Sequence, residues 1–270
     1  MRATSGTRRV SSRGLVYSRR GTGSPIVLLH GWCLSRGLWM YQEESLAGAH
    51  QVFAVDQAGF GESSDLDGPF DLQRYVLDLE AFLLEEVGGA AVVVGFAFGA
   101  AVGLSLAARR PDLISGLVSI GVPSAAHAPY DRMPRAMRRD WPDFAARSAR
   151  AICKSEISPA TLLWLGQMFG ATPLPVALET VALLGRFEPA PVAIGVPVPT
   201  LFVHGADDDV VPLSVSRDCA AAMPAARVEI VDGSGHLVVI DKKERLNEIL
   251  GAFASDPDAA VIARTAEHGV

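Results

Sequence analysis

Residues 91–100 read AVVVGFAFGA, and the reading of that stretch decides the fold. Val92, Val93 and Val94 form a short β-branched run suited to a buried strand. The run stops at Gly95, and Gly99-Ala100-Ala101-Val102 opens a long apolar helix. A strand that turns sharply into a helix between two glycines is the frame G-x-S-x-G, whose central serine stands exposed on the turn. Here the frame is Gly95-Phe96-Ala97-Phe98-Gly99, and its centre is alanine. A small residue between glycines also serves close strand–helix packing, so the frame alone does not establish a reactive centre.

The pattern recurs on both sides of this turn. Apolar runs ended by turn residues predict buried strands at Pro25–Leu29, Val52–Val55, Ala91–Val94, Leu113–Ile120 and Thr200–Val203, with a last strand at Arg227–Val231. Helical patterns fall between them, at about Arg36–Ala47, Leu72–Val87, Phe98–Arg109, Ser214–Ala222 and Asp241–Phe253. Strands apolar on both faces alternating with helices predict an α/β fold with a mostly parallel, doubly wound central sheet. A hairpin over about Arg8–Arg19 adds antiparallel edge strands. The alternation breaks between Pro123 and about Val196, a helix-like and proline-punctuated stretch too long for a connection. It is read as a helical cap inserted after the sixth strand. The expected organisation is a core of residues 1–122 and 197–254, a cap of 123–196 and a flexible tail of 255–270.

The chain has 270 residues, 49% of them hydrophobic, enough for one large domain with a substantial core. A net charge of −6 offers no electrostatic footprint for nucleic acid or an anionic membrane. The three cysteines, Cys33, Cys153 and Cys219, are odd in number and far apart. That argues against a disulfide framework and for a reducing compartment. No apolar run reaches the ~20 residues that span a bilayer, and no apolar segment follows the early arginines. A cytoplasmic protein is expected. There is no helical H-E-x-x-H and no cysteine–histidine cluster for a metal. Gly59-Phe60-Gly61 lacks the third glycine of a dinucleotide loop, with Ser64 in its place. No metal and no cofactor are expected.

Two loops downstream bear on Ala97. On a sheet of this kind a nucleophile, an acid and a histidine follow in that chain order, each at or just beyond the carboxyl end of a strand. After Thr200–Val203 comes HGADDDVVP, which offers Asp207, Asp208 and Asp209 as acids. After Arg227–Val231 comes DGSGH, ending in His236. Imidazole titrates near neutrality, so it can take the proton of a hydroxyl during attack and return it later. The remaining histidines have bland readings, with His204 packed in the core and His50, His127 and His268 at the surface.

Five motifs stand in one order: Leu28-Leu29-His30-Gly31-Trp32, Asp56-Gln57-Ala58-Gly59-Phe60-Gly61-Glu62-Ser63, the elbow, Gly205-Ala206-Asp207-Asp208 with Pro212, and Gly233-Ser234-Gly235-His236. With them, residues 14–253 resemble the α/β-hydrolase-fold serine hydrolases, in the esterase group that includes carrier-protein methyl esterases and cofactor-free haloperoxidase-like esterases. The one departure is Ala97, where that family has serine.

The resemblance implies a role for each position. Asp208 lies three residues after Gly205 and four before Pro212, the family's place for the acid that orients the histidine; Asp207 and Asp209 become turn residues. The backbone N–H groups of Trp32 and Phe98 become the donors to a developing oxyanion, helped by the positive end of the helix from Phe98. His30 braces the oxyanion loop. The implied substrate is a small carboxylic ester, lactone or thioester with a largely hydrophobic acyl or ring part, cleaved through an acyl-enzyme. A carrier-protein-bound acyl group is one form of it, and carbon–carbon bond hydrolysis is an alternative on the same fold. Trp141, Phe144, Trp164, Met168 and Phe187 are the expected cap lining. Arg132, Arg135, Arg138 and Arg139 read first as a solvated face, second as a site for an anionic partner.

Three accounts of Ala97 remain open: a serine-to-alanine variant of an active hydrolase, a pseudohydrolase that binds without turnover, and different chemistry on the same fold. Dehalogenase chemistry is excluded, because it needs an aspartate at the elbow. The intact acid, histidine and oxyanion loop favour the first account.

Overall fold

The computed structural model describes residues 7–127, 129–154 and 157–262. Among the described residues eight strands form one sheet: β1 (Thr7–Val10), β2 (Val16–Arg20), β3 (Ser24–Leu29), β4 (His50–Val55), β5 (Ala91–Phe96), β6 (Ile114–Ile120), β7 (Thr200–Gly205) and β8 (Ala226–Val231). Their order across the sheet is β1-β2-β4-β3-β5-β6-β7-β8. From β4 to β8 every neighbouring pair is parallel, and only the β1–β2 hairpin and its pairing with β4 are antiparallel. The edge hairpin is polar and its outer strand is exposed throughout, which suits a sheet edge. The strand at the centre, β5, is buried at all six positions, as its valine run requires.

The helices are α1 (Met40–Leu46), α2 (Leu72–Phe82), α3 (Phe98–Arg109), α4 (Met133–Arg139), α5 (Trp141–Ala151), α6 (Pro159–Gly170), α7 (Leu174–Leu184), α8 (Pro189–Ala193), α9 (Leu213–Ala221), α10 (Val238–Asp241), α11 (Lys243–Ser255) and α12 (Pro257–Ile262). One set pairs α1 with α11; another joins α2, α3, α8 and α9, with α3 lying against β5 and β6. The mostly parallel, helix-covered sheet expected from the sequence is the one observed. Among the described residues no single helix is long and apolar enough to cross a membrane.

Helices α4 to α8 lie in the insertion between β6 and β7, after the sixth strand. The last of them, α8, packs against α3 and α9 rather than on its insertion neighbours, so the end of the 123–196 stretch covers the flank of the sheet. Two local differences from the sequence reading have clear causes. The helix read as Leu72–Val87 leaves α-geometry after Phe82, forms a wider turn over Leu83–Val87 and ends at Gly88, whose φ of 88° only glycine adopts freely. The segment from 255 is not all tail: α12 packs against β6 and β7, filling space left by Gly116, where a Cβ would lie 3.0 Å from Pro257 Cβ.

Candidate active site

The elbow is built by exclusion. A Cβ on Gly95 would lie 2.4 Å from the carbonyl carbon of Gly99, and one on Gly99 would lie 2.3 Å from the carbonyl oxygen of Leu29. Only hydrogen fits at either position, so the first turn of α3 presses directly onto β3 and β5. Between them Ala97 takes φ 46° and ψ −107°, a conformation L-residues rarely adopt. Its N–H donates to the Ile120 carbonyl at 2.8 Å, and its own carbonyl accepts from Ala100 N–H at 2.9 Å. Neighbours on both sides therefore hold the strained residue in place. The Phe98 side chain is fully buried, edge-on to Tyr75 at 4.8 Å, while its N–H, first in the helix, has no partner within α3.

Beyond β7 and β8 the chain brings Asp208 and His236 together. His236 Nδ1 donates to Asp208 Oδ2 at 2.8 Å, with both side chains nearly buried. The other carboxylate oxygen of Asp208 accepts from the N–H groups of Val210 (2.8 Å) and Val211 (2.9 Å). Burial pushes this carboxyl up, but the hydrogen bond and charge of His236 and the two backbone donors outweigh it, and the balance lies below the ordinary aspartate value. With Nδ1–H spent on Asp208, Nε2 is the free nitrogen of His236. Gly121, with φ 57°, lets the ring approach: a Cβ there would lie 3.0 Å from His236 Cε1. The ring also packs on Phe96, 5.1 Å between centroids. The other two aspartates stand apart. Asp209 pairs with Lys154 at 2.8 Å in solvent, and Asp207 is fixed through its N–H to the Ser234 carbonyl.

Opposite the histidine runs the His30-Gly31-Trp32 loop. His30 is fully buried; its Nδ1 donates to the Gly31 carbonyl at 2.8 Å and its Nε2 accepts from Gln57 N–H at 3.1 Å. Both ring nitrogens are thereby used in bracing the loop. Burial pulls its pKa down, so the ring is neutral. Trp32 is held through its indole N–H, which donates to Thr180 Oγ1 at 2.9 Å in the insertion.

A cavity of about 310 Å³ lies between these parts and the insertion. Trp32, Phe96, Ala97, Phe98 and His236 form its floor, and α4, α5, α6 and α7 supply its roof through residues such as Met133, Phe144, Phe169 and Leu184. Of the five residues expected as cap lining, only Phe144 lines it. Trp141 stacks behind Phe144 at 6.1 Å and its indole N–H donates to the Thr172 carbonyl. Trp164 and Met168 turn toward Gly37, where a Cβ would lie 4.0 Å from Trp164 Cζ2 and 3.8 Å from Met168 Cε. Phe187 is buried beside Phe70 in a separate depression. The sequence reading missed Tyr130, Met133, Phe169, Val210 and Val211 as lining. Helical spacing held the one usable signal: Phe169 lies four positions after Leu165, on the buried row of α6 and about 100° of rotation from the row of Trp164 and Met168.

The family model described as the alpha/beta hydrolase family matches residues 26–249. The chain belongs to the α/β hydrolase family. Among curated relatives, a pimeloyl-[acyl-carrier protein] methyl ester esterase of Xanthomonas oryzae pv. oryzae is 29% identical over 262 residues, covering 87% of this chain and 96% of the relative. Among solved structures, a bromoperoxidase from Bacillus anthracis aligns with a TM-score of 0.86 at 22% identity, covering 93% of this chain and all of that one (100%). An enol-lactonase from Burkholderia xenovorans LB400 aligns at 0.83 and 20%, covering 90% of this chain and 96% of its own. These likenesses agree with the α/β-hydrolase fold anticipated from the motifs.

The chain's remaining polar residues sort themselves by surroundings. His50 is buried at the start of β4, not exposed as expected, while His127 is exposed and His268 lies outside the described residues. The Asp56–Ser63 turn is tied by the bonds of Asp56 to Arg36 and Glu62 and by Ser63 Oγ, which donates to the Asp56 carbonyl at 2.9 Å. Arg132, Arg135, Arg138 and Arg139 are all exposed. Among the described residues no group of three or more metal-ligating side chains occurs.

Proposed function

We propose that the cavity binds a carboxylic ester, lactone or thioester with a mainly hydrophobic acyl or ring part, its carbonyl oxygen facing the N–H groups of Trp32 and Phe98. One observation carries this reading: the Asp208–His236 pair, bonded at 2.8 Å, opens onto the same cavity as the strained turn at Ala97. In a triad of this geometry residue 97 is the nucleophile position, His236 the base and then acid, and Asp208 the group that fixes the imidazole tautomer. Serine there would form an acyl-enzyme. Alanine closes that covalent route, a loss of about a million-fold in turnover when a nucleophile is removed from such a unit. The apolar roof supports a hydrophobic acyl or ring portion. An acyl chain on a carrier protein is a natural form of such a substrate, given the esterase relative, and the exposed arginines of α4 supply positive charge beside the roof.

Ala97 itself favours a second reading, a binding protein that uses the pocket without the chemistry. Crystals of the chain grown with 4-phenylbutan-2-one, a ketone with no bond to hydrolyse, separate the two. The hydrolase reading expects the ketone oxygen about 2.7–3.1 Å from the N–H groups of Trp32 and Phe98. A ketone bound with its oxygen turned away from both donors supports the binding protein instead.

A further inference from the structure

We propose that this chain, with alanine at 97, cleaves its substrate by direct attack of water, with His236 as the general base and no acyl-enzyme. The proposal rests on the ester-binding reading above but concerns a separate matter, the identity of the attacking atom.

Three observations carry it. First, the side chain of Ala97 ends at Cβ, and this methyl shares the cavity floor with His236. The cavity, about 310 Å³, far exceeds the roughly 10–15 Å³ of probe-occupied space that one water needs. The cavity therefore has room for a water over the Ala97 methyl beside a bound carbonyl. Second, the lining leaves one base. Among the described residues its lining holds, besides His236, the hydroxyls of Tyr130 and Ser148, and no carboxylate and no lysine. Burial pushes the Tyr130 phenol up to about 12, so it is a neutral donor at pH 7, and a serine hydroxyl takes up no proton there. Among the described lining, the Nε2 of His236 alone can accept one. Third, the support of His236 does not depend on residue 97. Asp208 holds Nδ1–H at 2.8 Å and is itself fixed by the N–H groups of Val210 and Val211, so the pair stabilises an imidazolium wherever its proton comes from.

The step balances without another reagent. The water oxygen bonds to the carbonyl carbon, and its proton passes to His236 Nε2. The carbonyl electron pair moves onto oxygen, against the N–H groups of Trp32 and Phe98. Collapse of the tetrahedral centre breaks the bond to the leaving oxygen or sulfur, which takes the proton back from His236. Ester and water give acid and alcohol, and the histidine is restored.

The leftover activity of a disabled serine hydrolase would respond differently to loss of the histidine. There the triad acts as a unit: once the serine is gone the histidine adds nothing, and the remaining acceleration of about 10³–10⁴ over water comes from the oxyanion donors and binding. General-base action on water is instead worth about 10²–10⁴, and it is lost with the histidine. The test uses phenyl butyrate with the chain as it stands and with His236→Ala. The near-isosteric Asp208→Asn provides a second arm in case His236→Ala fails to fold. The proposal expects hydrolysis above buffer, a fall in kcat/KM of about 100-fold or more in both variants, no burst, and no acyl adduct in the intact mass. Phenyl butyrate turned over no faster than in buffer overturns it, as do equal rates with and without His236 or an adduct on the chain. These failures leave the ester-binding reading standing if Ala97→Ser reacts as a serine hydrolase; an inert Ala97→Ser removes that reading as well.

Discussion

Replacing Ala97 with glycine should make the protein more stable, against the usual cost of glycine in a packed region. The backbone at 97 sits at φ 46° and ψ −107°, and a non-glycine residue in so sparse a region costs about 1–3 kcal/mol. Glycine relieves that strain. It loses about 0.5–1 kcal/mol through the greater freedom of the unfolded chain, and about 0.4 kcal/mol for a half-buried methyl, half the ~0.8 kcal/mol of a fully buried one. The balance is a gain of about 1 kcal/mol, or about 2–4 °C in Tm for a chain of this size. The control is Ala101→Gly, four residues on in α3, where the methyl is fully buried in regular helix. There glycine costs about 1 kcal/mol in propensity and about 0.8 kcal/mol in lost burial, so stability falls by about 2 kcal/mol. Urea midpoints of the three proteins read both signs. Destabilisation of Ala97→Gly comparable to that of Ala101→Gly would refute the strained elbow.

Other positions give equally direct outcomes. In an Ala97→Ser background, Asp208→Asn should lower ester turnover by about 10⁴, because the amide presents the wrong hydrogen to Nδ1; Asp207→Asn and Asp209→Asn should cost far less, and the reverse order would reassign the acid. Gly95→Ala forces a methyl to 2.4 Å from the Gly99 backbone and should cost about 3 kcal/mol or more in a denaturation assay, the upper end for overpacking. Gly48→Ala, with nothing within 4 Å, should be neutral or slightly stabilising, and equal effects at the two sites would contradict the packing described. Burial pulls the pKa of His30 and His204 below the ordinary 6.5, so the unfolded chain binds more protons than the folded one under acid conditions. The stability they contribute is present above pH 6.5 and is lost as the pH falls from there toward their folded values; His204→Gln should flatten the urea midpoint between pH 7 and 5, and an unchanged slope would remove His204 from this effect.

Local sequence carried most of the sheet because its strands are buried on both faces and need no partner to be recognised. Val92–Val94 announces β5, and Gly95 and Gly99 announce the turn because no larger residue fits there. Strand ends were less legible: Phe96 and His204-Gly205 continue the ladders of β5 and β7 through backbone pairing, which their side chains do not advertise. Chain order and strand position brought an acid from Asp207–Asp209 toward His236, since parallel strands deliver their carboxyl ends to one edge of the sheet, and the family resemblance singled out Asp208. The roof was hardly legible. An apolar helix such as α6 declares that it packs, but which side meets the cavity depends on its neighbours; Phe169 turns inward while Trp164 and Met168 pack toward Gly37. Val210 and Val211 line the pocket from a loop whose apolar residues, read alone, look like ordinary turn packing.

The central claim is that residue 97, His236 and Asp208 form one reactive centre. The most direct measurement of it is fluorophosphonate labelling, read by intact mass, of the chain as it stands, of Ala97→Ser, and of Ala97→Ser combined with His236→Ala. The account predicts one phosphonyl adduct on Ala97→Ser, located on the new side chain, none on the chain with alanine, and little or none when His236 is removed. An unlabelled Ala97→Ser in a folded protein, or labelling that persists without His236, would contradict it.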